Sequence, residues 1–402
     1  MALTDFKTAF DNAYQEIFQK VLVAKEIMNT RFEPVLRYGE SVERVALDLS
    51  AVRVRTVTRG SASTIDAVTD SGELLEINLE KEAVFHISDG EVRQAGPLNP
   101  GEFIGAQIAK KVALDLDARC FAEVRNATYD FDTGDLTTGA SNAAPITLSS
   151  TTVPQMVSRM AAKLRRLNNQ DIAGNMVLVV DSYAASDIAQ YLLGKNIDLA
   201  GSVFKNGYTD DVYGAKMYVS ENLQGEAVLS IATTPTDGDT VTIGGVVFTF
   251  KTTLGSTAGN VAIGGTADAA RLNLSELINA PGTTDAGQVA LSAANQIIIT
   301  DSLGLVATDV AAADTMTIVG TGSGRMTVSE TLTDATDAWT KNFIHAYFGK
   351  RGAIDLVIQD MKPVDMRETA DRRGTNVFSS YLAGLKTFAD GKKKFLDVLI
   401  NA

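Results

Sequence analysis

Histidine, cysteine and tryptophan are scarce in this chain of 402 residues, which holds two, one and one of them respectively. The histidines, His86 and His345, stand far apart with no further ligands at metal-binding spacing, so most zinc sites and Ser-His-Asp machineries fall away. Each is expected to be a packed or surface residue. Cys120, alone, excludes an internal disulfide, as suits a reducing compartment or a fold that needs no covalent staple. No apolar run approaches the roughly 18 residues of a membrane-spanning helix, and residues 1–30 lack the apolar centre of a secretory signal. A cytoplasmic origin is the expectation. Positive charge is also in deficit: 36 Lys and Arg against 49 Asp and Glu give a net −13 and a pI near 4.7. That balance disfavours a dedicated nucleic-acid-binding module. A hydrophobic content of 45% over this length is enough for two or three cores.

The charge deficit is uneven. Residues 224–338 hold three basic and twelve acidic side chains, so −9 of the total −13 lies in a Gly/Thr/Ala-rich stretch with strand and helix signals of its own. It reads as an inserted domain, with the earlier style resuming after Trp339. Within it, Val241 and Ile243 are expected to meet Val246, Phe248 and Phe250 across Gly244-Gly245. A helix is expected from about Thr266 to Asn279, with further strands at 296–300 and 315–319.

Before the insertion the periodicity changes several times. Leu3, Phe6, Phe10, Ala13, Ile17, Val21, Ala24 and Met28 recur at spacings of three and four, one face of a helix that lies on its own domain or on a neighbouring subunit. From Val45 the period is two: Val45, Leu47 and Leu49, then Val52 and Val54 after a slip, are paired across a polar 58–72 tip with Leu75, Ile77, Leu79, Phe85 and Ile87. Such a two-stranded ribbon is marginal alone in water and needs a third surface. Arg53, Arg55 and Arg59 on its outgoing arm, with Glu73, Glu76, Glu80 and Glu82 on its return, suit pairing with copies of the chain or form an ordinary solvated face.

Pro97 and Pro100 precede a helix over 101–125 in which Ile104, Ile108, Val112, Leu116, Cys120 and Val124 recur every fourth residue, a row able to meet several neighbours. Cys120 reads as a small buried side chain. Thr152 and Gln155 propose a capping box, with Pro154 in the first turn of the helix that follows. The basic face of that helix, Arg159, Lys163, Arg165 and Arg166, is solvated or meets an acidic partner. Residues 176–180 make an apolar strand, Asp181 or Ser182 caps the next helix, and 216–220 make another strand. Ile354, Leu356 and Ile358 alternate in a strand near the end, and a hairpin is expected at Asp390-Gly391 with Leu396, Val398 and Ile400 on one face of its second arm.

No constellation for catalysis, cofactor or metal emerges. Gly320, Gly322 and Gly324 lack the strand-to-helix setting and Lys-Ser/Thr of a phosphate loop, and read as a flexible turn. Asp360, Asp365 and Glu368 read as solvated charges, and Lys392, Lys393 and Lys394 as a polar hairpin arm or a nucleic-acid or subunit contact.

The order of these elements, together with MVLVVDSYAASDIAQYL at 176–192, DVYGAKMYVSENL at 211–223 and LAGLKTFADGKKKFLDVLI at 382–400, resembles the tailed-bacteriophage major capsid proteins, the Hong Kong 97-type fold. DTVTIGGVVFTFKTTLGSTAGNVAIGG at 239–265 is similar to a module of phage structural proteins, including capsid proteins with an insertion domain at this place. The resemblance covers nearly the whole chain. It implies an α+β Hong Kong 97-like fold with an N-terminal arm (1–40), an extended-loop hairpin (41–95), a peripheral domain with a spine helix (96–170), and a first axial part (171–223). The insertion (224–338) and the axial and peripheral remainder (339–402) follow. It further implies hexamers and pentamers closing an icosahedral shell around double-stranded DNA, with scaffolding, portal and decoration proteins as possible partners, no membrane, and a virion assembled in a host bacterial cytoplasm. The short arm implies a separate scaffolding protein or none. An encapsulin-type compartment shell, an exported surface or adhesive protein, and a hydrolase with an unrecognised site are the competing readings; adjacent portal and terminase genes would separate the first, an export signal the second.

Overall fold

The computed structural model describes residues 23–34, 36, 38–48, 52–56, 59–60, 65–66, 68–88, 100–168, 176–193, 211–212, 214–368 and 373–402. Among these, residues 28–112 and 352–392 form one compact unit, and 23–27, 113–351 and 393–402 another. The architecture is α+β.

In the first unit, Ser41–Asp48 pairs antiparallel with Thr69–Glu76, from Ser41 opposite Glu76 to Asp48 opposite Thr69. This is the expected ribbon, but its return arm is shorter than the alternation suggested. The residues beyond Ile77 leave the ribbon: Leu79–Ile87 joins a three-stranded sheet, antiparallel to Thr375–Lys386, whose other neighbour is Asp355–Glu368. Phe85 and Ile87 therefore do not face the outgoing arm. The change of partner is close-packed, since a Cβ on Gly384 would lie 2.6 Å from the carbonyl oxygen of Glu76. Leu36, Leu75, Val357 and Phe388 form the buried cluster at the ribbon's foot. That cluster is the third surface such a ribbon requires.

In the second unit the strand Ala338–Lys350 is the axis of a nine-stranded sheet. One of its edges pairs first with Gln224–Ser230 and then with Met176–Val180; the other pairs with Phe395–Asn401. Thr315–Gly320 and Leu305–Val310 extend the sheet beyond Gln224–Ser230, and Ala215–Val219 and Asp211–Val212 beyond Met176–Val180. All five residues of Met176–Val180 are buried, as an unbroken apolar run between two strands should be. Phe395–Asn401 is buried on both faces and belongs to this sheet, while Thr375–Lys386 belongs to the three-stranded one. The hairpin expected at Asp390-Gly391 is thus absent. The turn signal is real, but each arm finds a longer partner elsewhere.

The long helix Pro100–Ala122 runs into a 3-10 turn at Glu123–Asn126. Val112, Leu116, Cys120 and Val124 of the predicted row are buried, and burial pushes the Cys120 thiol well up. Of the N-terminal arm only Ala24–Ile27 is a described helix; Leu3 to Val21 lie outside the described residues. The amides of Val23 and Ala24 donate to the buried carboxylate of Asp117 at 3.2 and 2.9 Å. Burial outweighs these bonds and lifts Asp117 to about 6.

Two caps shift from the expectation or fill it. The helix Thr152–Asn168 takes its cap from Ser149, whose Oγ accepts the Thr152 amide at 3.1 Å, while the Thr152 hydroxyl donates to the Thr147 carbonyl. Ser149 stands three residues before Thr152, where its oxygen can reach the first free N–H groups. Asp181 does cap Ser182–Leu193, accepting from the Ala184 amide at 3.0 Å. The basic helix face is solvated at Arg159, Arg165 and Arg166, with Arg159 also donating to the Asp135 carbonyl, while the half-buried Lys163 pairs with the Asp135 carboxylate at 2.7 Å.

Residues 227–339 share one buried apolar cluster, in which Leu229, Met316 and Ile318 of the large sheet meet Phe248 and Phe250 of a four-stranded sheet and Leu274 and Leu277 of the helix Ala267–Asn279. Gly244 and Gly245 carry φ of 57° and 82°, the left-handed pair of a type I′ turn, and place Ile243 opposite Val246 as expected. The strand expected at 296–300 is instead a helix, Ala293–Ile297, continued by a π turn. Ser292 caps it through the Asn295 amide and Gln296 folds back onto the Leu291 carbonyl, so local hydrogen bonds override the β-prone isoleucines.

Gly320–Gly324 is not a flexible turn. A Cβ on Gly322, at φ 71°, would meet the Ala118 methyl at 2.4 Å, and one on Gly225 would meet the Gly324 carbonyl oxygen at 2.2 Å. The glycines are there because neighbouring backbone leaves no room for a side chain.

Candidate assembly surface

The ribbon is sealed at one end and open along the rest. At its foot Val42 lies opposite Leu75, which is fully buried. One step further out Arg44 lies opposite Glu73, and both reach the segment around Phe388. Arg44 pairs with Asp390 at 2.8 Å and its guanidinium sits 5.1 Å from the Phe388 ring centroid. Glu73 Oε1 accepts the Ala389 amide at 2.9 Å. The hydrogen bond that Arg44 donates to Asp390, offset in part by burial, holds Arg44 above its ordinary value.

Beyond the foot the apolar side chains turn to solvent. Val45 is 62% exposed, Val54 fully exposed and Ile65 93% exposed, with Val52, Val68 and Leu74 also exposed. Among the described residues, eight of fifteen exposed large apolar side chains fall between Tyr38 and Val84. A soluble protein scatters such residues singly, whereas six of these eight, Val45 to Leu74, lie on the two ribbon strands or between them.

The six charged residues expected to make assembly contacts are not gathered into one site. Arg53 and Arg55 both turn to Asp66: the Arg53 amide donates to one carboxylate oxygen at 2.9 Å, and the Arg55 guanidinium pairs with the other. Arg59 is exposed in a turn with Gly60, whose φ is 91°. Glu73 is half-buried at the foot, and Glu76 is exposed at the last ribbon pair, opposite Ser41. Glu80 is exposed but belongs to the three-stranded sheet, opposite Leu382. Sequence alternation could not reveal Arg44, Asp66 and Asp390, because their partners are set by the strand register and by a segment more than 300 positions away.

A second polar assembly lies in the other unit. His345 is buried, with Nδ1 2.7 Å from Asp397 Oδ2 and Nε2 3.4 Å from Glu226 Oε2, and Arg125 reaches the same Glu226 oxygen at 2.8 Å. These side chains come from three adjacent strands and the 3-10 turn after the long helix. Burial alone would lower the His345 pKa, but the Asp397 and Glu226 carboxylates outweigh it and raise it to about 9. Glu226 is held below its usual range because His345 and Arg125 overcome its own desolvation. The arrangement is a charged pin across strands. The other histidine, His86, is half-buried and its Nδ1 lies 2.8 Å from Asn376 Oδ1.

Among the described residues no group of three or more His, Cys, Asp or Glu is placed to hold a metal ion, and no helix is long and apolar enough to cross a membrane. No family model and no curated protein matches this chain. Solved structures do show likeness. A structure of Mycobacterium phage Che8 has a TM-score of 0.49 at 14% identity, covering 94% of this chain and 91% of its own. The capsid structure of the cyanophage P-SCSP1u has 0.46 at 11% identity, covering 90% and 84%. The capsid of an empty GTA particle has 0.42 at 10% identity, covering 95% and 90%. With every one of these scores below 0.5, the functional reading rests on the geometry of the ribbon.

Proposed function

We propose that this chain is a major capsid protein of the tailed-phage, Hong Kong 97 type: a structural subunit that forms hexamers and pentamers and closes an icosahedral shell around double-stranded DNA. The observation that carries the proposal is the set of exposed apolar side chains at the ribbon, Val45 and Leu74 on its strands and Val52, Val54, Ile65 and Val68 between them. Burying a side chain of this class is worth about 1.5–3 kcal/mol, and a row of them supplies association energy that a monomer leaves unused. Copies of the chain are the natural cover, since identical subunits in closed symmetry bury one another's surfaces repeatedly.

In this reading residues 1–40 are the arm, 41–95 the extended loop laid over an adjacent subunit, 96–170 the peripheral domain with its spine helix, and 171–223 with 339–402 the axial domain and the remainder of the peripheral one. Residues 224–338, at a net −9, are an insertion facing outward, where anionic charge does not oppose the enclosed DNA. Arg53, Arg55, Arg59, Glu73, Glu76 and Glu80 serve as intersubunit contacts, with Glu73 shared between that role and the foot. The protein works without catalysis, in the virion, after assembly in the host cytoplasm; scaffolding, portal and decoration proteins are its further partners.

Electron microscopy of the purified chain tests the proposal. Uniform shells are expected, and Val52→Asp/Val54→Asp should leave a folded subunit with unchanged melting that no longer forms them. A compact monomer at every concentration and salt, or normal shells from the double variant, overturns it. Protection of residues 252–260 from limited proteolysis in assembled particles would overturn the outward placement alone.

A further inference from the structure

The strand Leu305–Val310 is the outermost strand at one end of the nine-stranded sheet. The opposite end is a strand of two residues, and the four-stranded sheet ends in strands of three. Six residues make Leu305–Val310 the longest of these edges. Its composition is β-prone, and Val306 is 57% and Val310 39% exposed. An edge of this length and character is a template for pairing with another strand.

Two side chains of the helix Ala267–Asn279 occupy it. Asn279, at the helix end, donates from Nδ2 to the Ala307 carbonyl oxygen at 2.8 Å and accepts the Ala307 amide on Oδ1 at 2.9 Å. Its carboxamide thus makes with Ala307 the pair of bonds that a residue of an incoming strand would make. Next to it, Arg271, fully buried, donates from Nε to Asp309 at 2.9 Å and also engages Asp268, Asp314 and the Ile231 carbonyl. Asp309 alternates with Val306 and Val310, so its charge points to the helix-covered face. The same helix treats the other sheet likewise: Asn273 Nδ2 donates to the carbonyl of Ala262, in the edge strand Asn260–Ala262, at 2.9 Å.

We propose that Asn279 is a lock on this edge, a side-chain stand-in for a strand that prevents a second copy of the chain from adding to Leu305–Val310. Protection comes from occupancy of the two Ala307 groups, with the Arg271–Asp309 pair fixing the helix that carries the amide. The lock is independent of whether the chain builds shells, because the association it blocks runs strand to strand through one named edge.

The test uses the full-length chain. Asn279→Ala should speed hydrogen exchange at the Ala307 amide roughly tenfold, the loss of one or two net hydrogen bonds, and should bring thioflavin-positive association that the parent lacks. Adding Val306→Lys in the same chain should suppress that association while exchange at Ala307 stays fast. Should Asn279→Ala lose its near-ultraviolet dichroism, Asn279→Ser carries the same measurements with a hydroxyl kept at the helix end. Parent-like exchange at Ala307 overturns the lock; so does fast exchange with no strand-mediated association, which would make Asn279 a local brace only.

Discussion

In the ribbon, two strands of eight residues have only each other as partners among the described residues, and Val45 and Leu74 on them, with Val52, Val54, Ile65 and Val68 between them, face solvent. Within 224–338 the strands at the sheet ends are two to four times shorter or held by asparagine side chains, and the aromatic residues Phe248 and Phe250 are fully buried. The two regions differ in what closes the edge. The ribbon leaves apolar surface exposed in the single chain; the 224–338 region buries its own.

The largest contrast should appear in a pair of truncations. Phe248→Ala is expected to cost about 3–5 kcal/mol in the isolated subunit, read from chemical denaturation, because a fully buried ring leaves a cavity. Val54→Ala, at a fully exposed position, should leave that stability unchanged and weaken only self-association. Equal costs would erase the distinction between a closed core and an open row.

A smaller effect sharpens it. His345 holds its proton more tightly in the fold than in the unfolded chain, with a folded pKa near 9, so its contribution is complete below the unfolded value of about 6.5 and fades as pH rises through about 9. It is worth on the order of 3 kcal/mol. His345→Gln should flatten the stability profile between pH 7 and 10, and exchange of the ribbon amides should not follow that profile. A ribbon that loosened together with the cluster would mean the two regions share one cooperative transition.

The smallest change lies at the ribbon's foot. Arg44→Ala removes a partly exposed ion pair with Asp390 and a contact over Phe388, and should lower stability by no more than about 1 kcal/mol while speeding exchange at Val42 and Leu75. Unchanged exchange there would show that the apolar cluster alone fixes the ribbon.

Much of this organisation is legible in residue order. The strand at Val45 and Leu47, the apolar row from Val112 to Val124 and the Gly244-Gly245 turn each depend on neighbours within a few positions and stand where the pattern puts them, whereas Val52 and Val54 of the same period-two run lie outside any strand. What escapes is what depends on distant partners. Phe85 alternates as a ribbon residue would, yet its strand pairs with Val377 in another sheet. Leu396, Val398 and Ile400 alternate as a half-exposed arm would, yet their strand pairs with one about fifty positions upstream and is buried on both faces. The candidate assembly residues fared the same way. Charge alternation located the ribbon, but Asp66 and Asp390 as the partners of Arg55 and Arg44 follow from register and from long-range folding. His345 read as an ordinary packed histidine because Asp397 and Glu226 lie 52 and 119 positions away.

The tight seat of Gly322 against the methyl of Ala118 bears on engineering. A peptide epitope grafted into the exposed 255–258 turn extends into open space and leaves the scaffold at rest. The same graft at 320–324 becomes a wedge between a loop and the helix beneath it, so a glycine-rich segment that looks permissive on paper is a poor place to hang a tag.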